Sequence, residues 1–185
     1  MAGRTVISNV DYALQTQTVE DATHFSLIVT ITAPTAAQLN ALGGAPLTLL
    51  PDRLVSRSSR GVARRVFLHR GWIRSGTTPP AATTAAFVFQ DSSAVNVASL
   101  AQTSGVFTAN TGLDFVANAA TGVTLATGAH GGLTDSKGIR LTQTGTFTGG
   151  PYSDITIGLF GVILPTGTTT PLGTAPAVTQ FGKSA

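Results

Sequence analysis

Arginine is the residue type whose clustering in this sequence could form a binding surface. Seven of the eleven basic residues are arginines between positions 53 and 74: Arg53, Arg57, Arg60, Arg64, Arg65, Arg70 and Arg74. No Lys or Arg lies between Arg74 and Lys137, so the net charge of +3 reflects one local cluster. A guanidinium donates N–H groups in a fixed fork that matches carboxylates and phosphates. The cluster therefore predicts an interaction surface for an acidic partner.

Three interpretations of the arginine cluster compete. A run of charge is by default a solvated loop, and Ser58, Ser59 and Gly61 suit such a loop. The arginines could instead contact nucleic-acid phosphates, or pair with carboxylates of a neighbouring protein subunit. Single-stranded nucleic acid is usually bound with stacking aromatic side chains, and only Phe67 and Trp72 are nearby. We therefore rank a protein partner first and nucleic acid second.

The other polar residues form no catalytic or metal-binding pattern. The three histidines, at positions 24, 69 and 130, have no ligand spacing, and the chain has no cysteine. Its eight carboxylates are scattered, and the one adjacent pair, Glu20–Asp21, would point to opposite faces of a strand. A phosphate-binding loop ending at Gly182-Lys183-Ser184 would need glycine where Ala177 stands. The sequence predicts no enzyme, no metal site and no cofactor.

The elements that must position the arginines are predicted to be strands. Residues 23–32 alternate apolar and polar side chains, as in a strand with one buried face. Short apolar segments separated by Thr-Gly and Gly-Gly steps follow at hairpin-like intervals: 85–90, 95–100, 105–108, 113–117, 123–127, 139–144 and 155–164. This spacing predicts an all-β fold, a single-domain β-sandwich or barrel of jelly-roll type.

The strand that carries most of the arginines is predicted over residues 62–74. Strict alternation along it would place Val66, Leu68 and Trp72 on one face, and Phe67 and Ile73 on the other. The preceding residues, 52–61, are predicted to form an exposed loop or a poorly paired strand.

One short helix is predicted near 35–42, because Thr35-Ala-Ala-Gln38 matches a capping box ahead of Leu39 and Leu42. The chain then divides into an N-terminal arm or first strand (1–22), a β-domain (23–164) and an extended tail (165–185). Within the first part, residues 4–10 are predicted to form a first strand or an extended arm. The tail is rich in Pro, Gly and Thr and cannot bury enough surface to fold alone.

The composition favours a protein that is covered by neighbours in an assembly. Only 10% of the residues are charged, whereas a typical domain has about 25%. The 30 threonines carry most of the polarity, and Thr suits half-buried pleated surfaces. Sparse surface charge predicts self-association, with a homotrimer as the favoured form.

Taken together, these features resemble the virion accessory proteins of tailed bacteriophages, particularly capsid decoration or cement proteins. The resemblance lies in a small, cysteine-free, charge-poor chain with short strands and a Pro/Thr-rich end (Pro165 to Thr174). It implies a β-sandwich or barrel, often trimeric, that clamps neighbouring major capsid subunits after head expansion. It implies no catalytic residue.

We accordingly expect a structural protein of a bacteriophage particle, assembled in the host cytoplasm and located in the virion, with the major capsid protein or other virion subunits as partners. Polar residues follow the N-terminus and the longest apolar run is interrupted, so we expect neither a signal peptide nor a membrane span. The alternatives are a tail-tube, head–tail adaptor or fibre-base component, or a carbohydrate-binding sandwich for host attachment. The single Trp and two Tyr count against sugar binding.

Overall fold

The chain folds into two open antiparallel sheets that share one hydrophobic core. In a computed structural model, residues 7, 9–19, 21–56, 62–82, 85–101, 109–110, 112–114, 123–125 and 136–165 are described. The all-β class is confirmed, with a layout consistent with the predicted sandwich or barrel, and within these residues neither five-stranded sheet closes on itself. The predicted strand at 105–108 and most of the C-terminal tail, 166–185, lie outside the described residues.

The first sheet has the order β1-β2-β12-β4-β8. Its strands are β1 (Val10–Val19), β2 (Ala22–Ile31), β4 (Arg64–Ser75), β8 (Gly112–Asp114) and β12 (Ile155–Pro165). The alternation predicted for 23–32 is confirmed in β2, where every second side chain from Phe25 to Ile31 is buried. Of the segment 4–10, which was predicted as a first strand or an extended arm, residues 4–6 and 8 lie outside the described residues, and β1 begins at the last residue of the segment, Val10. The polar sequence of β1 lacks the apolar alternation that usually reveals a strand.

The second sheet has the order β3-β10-β6-β7-β9. Its strands are β3 (Leu47–Leu50), β6 (Ala86–Asp91), β7 (Asn96–Ala101), β9 (Val123–Leu125) and β10 (Ile139–Thr144). Phe87, Phe89 and Leu141 from this sheet join Leu27 and Val29 of β2 in one buried cluster. A small third sheet pairs β5 (Ala81–Ala82) with β11 (Phe147–Thr148).

The predicted helix is confirmed as α1 (Ala36–Ala41). Both bonds of its capping box form: Gln38 N–H donates to Thr35 Oγ1 over 3.2 Å, and Thr35 N–H donates to Gln38 Oε1 over 2.9 Å. Asn40 fastens the helix to β11, since its side chain exchanges two hydrogen bonds with the backbone of Phe147 at 3.0 and 2.8 Å.

A second helical turn, α2 (Asp52–Val55), was not predicted; it begins the segment 52–61, for which the sequence predicted an exposed loop or a poorly paired strand. Asp52 begins this turn and accepts from Gly138 N–H over 2.7 Å and from Ser92 Oγ over 3.0 Å. The turn is thus held by contacts that are distant in sequence, which no local pattern reveals.

Candidate interaction surfaces

A β-bulge in β4 decides which way its arginines point. On β12, Phe160 faces Arg70 while the next residue, Gly161, faces Leu68, so residue 69 is an extra residue in the pairing. A bulge of this kind shifts the alternation of side chains by one position. A methyl group on Gly161 would lie 2.2 Å from the carbonyl oxygen of Phe67, so only glycine permits this approach.

The bulge corrects the predicted face assignment. Val66, Leu68 and Ile73 point into the core, whereas Phe67 and Trp72 share the outer side of the sheet. The prediction that Trp72 shares a face with Val66 and Leu68 was wrong, because it assumed a regular strand without a bulge.

Five residues of β4 consequently form one outward surface, which we call the basic face. Its members are Arg65, Phe67, Arg70, Trp72 and Arg74. Arg70 and Arg74 are exposed, and Arg65, Phe67 and Trp72 are half-buried. The basic face is thus three arginines alternating with two aromatic rings along about 30 Å of strand.

The Trp72 ring of the basic face rests on the neighbouring strand β12. The indole of Trp72 covers Gly158, since a methyl group there would lie 2.2 Å from Trp72 Nε1. Phe67 pairs with Val162, which is buried, and Arg70 pairs with Phe160, which is half-buried. The contact with Gly158 holds one side of the Trp72 ring against the sheet, so the centre of the basic face is preorganised.

Arg64, by contrast, points inward and is 8% exposed. Its guanidinium donates to the carbonyl oxygens of Asp21 and Ile163 over 3.1 and 3.0 Å, and to Thr23 Oγ1 over 2.8 Å. Desolvation lowers the pKa of Arg64, and the Asp21 carboxylate acts in the opposite direction. Arg64 links the β1–β2 hairpin to the central strand β12, so its role is structural.

The seven predicted arginines therefore separate into different environments. Arg65, Arg70 and Arg74 come together on the basic face, and Arg64 is structural. Arg53 is exposed on α2, where it lines a surface groove of about 420 Å³ together with Arg140 and Asp52. Arg57 and Arg60 lie outside the described residues.

A second surface, which the sequence did not reveal, is the free edge of β1. All its residues after Val10 are exposed, including Tyr12, Leu14 and Val19 at 48%, 37% and 54%. Thr32 N–H donates to the Asn9 carbonyl oxygen over 2.9 Å, which makes 9/32 a hydrogen-bonded pair of the hairpin. Such pairs alternate in antiparallel ladders, so the odd-numbered residues of β1 bond to β2.

The backbone groups of the even-numbered residues therefore point away from the sheet: Val10, Tyr12, Leu14, Thr16 and Thr18. Within the described ranges, no strand pairs with this side of β1. One tether connects β1 to the second sheet, because Tyr12 Oη donates to the Thr48 carbonyl oxygen over 3.0 Å. Burial raises the pKa of the Tyr12 phenol, which favours the protonated donor.

Two carboxylates have structural roles in turns. Asp91 is buried and accepts through Oδ1 from the N–H groups of Ser93 and Val95, at 2.8 and 2.9 Å. Asp52 begins α2 and accepts hydrogen bonds from Gly138 N–H and Ser92 Oγ. In the part of the chain that the structure describes, no three His, Asp or Glu side chains gather to hold a metal ion. No described helix is long and apolar enough to cross a bilayer.

Comparison with known proteins gives no relative: no protein family, no curated protein and no solved structure matches this chain.

Proposed function

We propose that this chain is a structural subunit of a bacteriophage particle, and specifically a capsid decoration (cement) protein that binds major capsid subunits through the basic face. The observation that carries the proposal is the alternation of arginine and aromatic side chains on one outward-facing surface, with the Trp72 ring held against β12. Arginine and tryptophan are enriched among the residues that dominate protein–protein binding energies. The low charge and the Thr-rich sequence suit a protein surrounded by other subunits.

The chemistry of the basic face favours an acidic protein surface as its partner. Arg70 and Arg74 flank Trp72, and a carboxylate can accept two parallel N–H bonds from each guanidinium. The ring between them supplies apolar area that excludes water from those ion pairs. Tail-tube, head–tail adaptor and fibre-base positions in the particle would use the same chemistry, and binding assays separate them from the head.

Nucleic acid is the second candidate partner, favoured by one specific feature. Basic grooves with interleaved aromatic rings bind single strands, and the basic face has both components. The Trp72 ring rests on β12 over Gly158 and is only half-buried, so part of it remains accessible for stacking.

The decisive experiment uses the double variant Arg70→Ala/Arg74→Ala and DNA-free expanded heads of the phage whose genome encodes the chain. Exposed charges contribute little to folding, so we expect an unchanged midpoint of urea unfolding. Co-sedimentation with empty heads should fall at least about tenfold, since two desolvated ion pairs are lost. Arg53→Ala is the matched control, because it removes an exposed arginine outside the basic face.

Three results would count against the proposal. Wild-type protein that sediments with tail tubes but not with heads would move the subunit to the tail. A double variant that binds heads normally but loses a single-stranded DNA probe would establish the nucleic-acid function. Binding to no virion component would overturn the phage assignment altogether.

A further inference from the structure

Strand β1 is an edge strand whose outward-facing backbone groups can pair with a further strand. Five consecutive even-numbered residues offer a backbone N–H and C=O outward, from Val10 to Thr18. Natural edge strands are usually protected from pairing by lysine, proline, a bulge or an inward-pointing charge. Strand β1 has none of these: it pairs with β2 without a register shift over ten residues, and its one charged side chain is Asp11, on the outer side.

We propose that β1 pairs antiparallel with β1 of a second copy of this chain, joining two five-stranded sheets across a twofold axis. Only one register brings all five outward-facing residues opposite one another. It places Val10 opposite Thr18 of the second copy, Tyr12 opposite Thr16, and Leu14 opposite Leu14 on the axis. Each of these pairs exchanges two N–H···O bonds.

The side chains of β1 are complementary in this register. On the inner side, the two exposed Leu14 side chains meet on the axis, each flanked by Thr and Tyr. On the outer side, Asp11 lies opposite Gln17 of the second copy, whose amide can donate to the carboxylate. The two Asp11 residues are separated by about 20 Å along the strands, so no like charges oppose each other.

Other occupants fit the edge less well. The remaining described edge strands of both sheets have three or four residues (β8, β3 and β9), and none of them matches the ten residues of β1. The chain's C-terminal segment contains Pro165, Pro171 and Pro176, and proline lacks the N–H that a ladder needs. Among the edge strands that the structure describes, only a second β1 has equal length and a complementary pattern.

The first test is a pair of lysine variants measured by analytical ultracentrifugation over a range of protein concentrations. Leu14→Lys places two ammonium groups opposite each other on the axis. Because these like charges repel, we expect the dissociation constant of the dimer to rise at least about tenfold. Gln17→Lys adds the same charge to the same strand, but opposite Asp11 of the second copy. We expect this variant to dimerise about threefold more tightly, through two new cross-strand ion pairs.

A second test follows individual backbone amides by NMR hydrogen exchange. In the monomer, the N–H groups of Tyr12, Leu14 and Thr16 face solvent, while those of Ala13 and Gln15 bond to β2. Dimerisation should slow exchange of the even-numbered amides as concentration rises and leave the odd-numbered ones already slow. Circular dichroism of Leu14→Lys controls for folding, which should be intact because the side chain is exposed.

The proposal fails if the wild-type protein is monomeric at millimolar concentration, or forms a closed trimer, which a twofold pairing of β1 cannot build. It also fails if the even-numbered amides are slowed only after another virion protein is added, because the occupant would then be a foreign strand. Equal effects of the two lysine variants would refute the register. None of these outcomes depends on head binding, so this proposal and the proposed function can fail separately.

Discussion

Strands β12 and β1 belong to the same sheet, yet they have opposite environments. Strand β12 lies between β2 and β4, and seven of its eleven residues are buried and none is exposed, whereas β1 is exposed on both sides and along one edge. Their sequences differ accordingly: Ile155–Pro165 is almost continuously apolar, and Val10–Val19 is mainly polar. Stability is therefore concentrated in the centre of the sheet, and the capacity for association at its edge.

The largest effect should come from filling the space at Gly161 of β12. Gly161→Ala would bring a methyl group to 2.2 Å from the Phe67 carbonyl oxygen and 3.0 Å from the ring of Phe25, so the backbone must shift. We expect a loss of about 3 kcal/mol in unfolding free energy. Thr16→Ala lies in the same row of the sheet but on β1, and should cost within about 0.5 kcal/mol. Urea unfolding of both variants measures the difference, and equal losses would contradict the contrast between the strands.

An intermediate effect is expected at the link between these two strands. Arg64→Ala removes three hydrogen bonds that join the hairpin turn to β12 and leaves buried acceptors without a donor. We expect a cost of about 2 kcal/mol. Arg74→Ala, on the exposed side of the same strand, should change stability by less than about 0.5 kcal/mol. If the two variants unfold at the same urea concentration, Arg64 has no structural role.

The smallest effect should be a pH dependence at β1. Burial raises the pKa of Tyr12 above its ordinary value of 10.0, so the folded state keeps the proton longer than the unfolded chain. The stabilising contribution is complete below pH 10.0 and is lost as pH rises through the folded-state pKa. Tyr12→Phe should cost less than about 1 kcal/mol at neutral pH. It should also flatten the decline in stability above about pH 10 relative to wild type. Parallel curves for the two proteins would show that the bond to Thr48 contributes nothing.

Elements whose sequence signal lies within a few neighbouring residues were predicted correctly, whereas elements without such a local signal were not. The capping box of α1 closes within four residues, and the alternation in β2 reports burial on one face directly; both were confirmed. Strand β1 was missed beyond residue 10, because an edge strand exposed on both faces needs no apolar periodicity. Turn α2 was missed because its Asp52 bonds lead to Ser92 and Gly138, far along the chain.

The arginine cluster shows the same difference between local sequence signals and the effects of distant contacts. The sequence by itself determined that arginines and aromatic residues are concentrated around one strand of an all-β protein with few other charges. Only the tertiary structure decided that Arg64 is buried while Arg65, Arg70 and Arg74 share an outer face with Trp72. That outcome depends on the bulge at residue 69, which exists because Gly161 of β12 lets the backbone at Phe67 approach closely. Residue type is local, but the direction of a side chain in a sheet depends on its pairing with a strand nearly a hundred residues away.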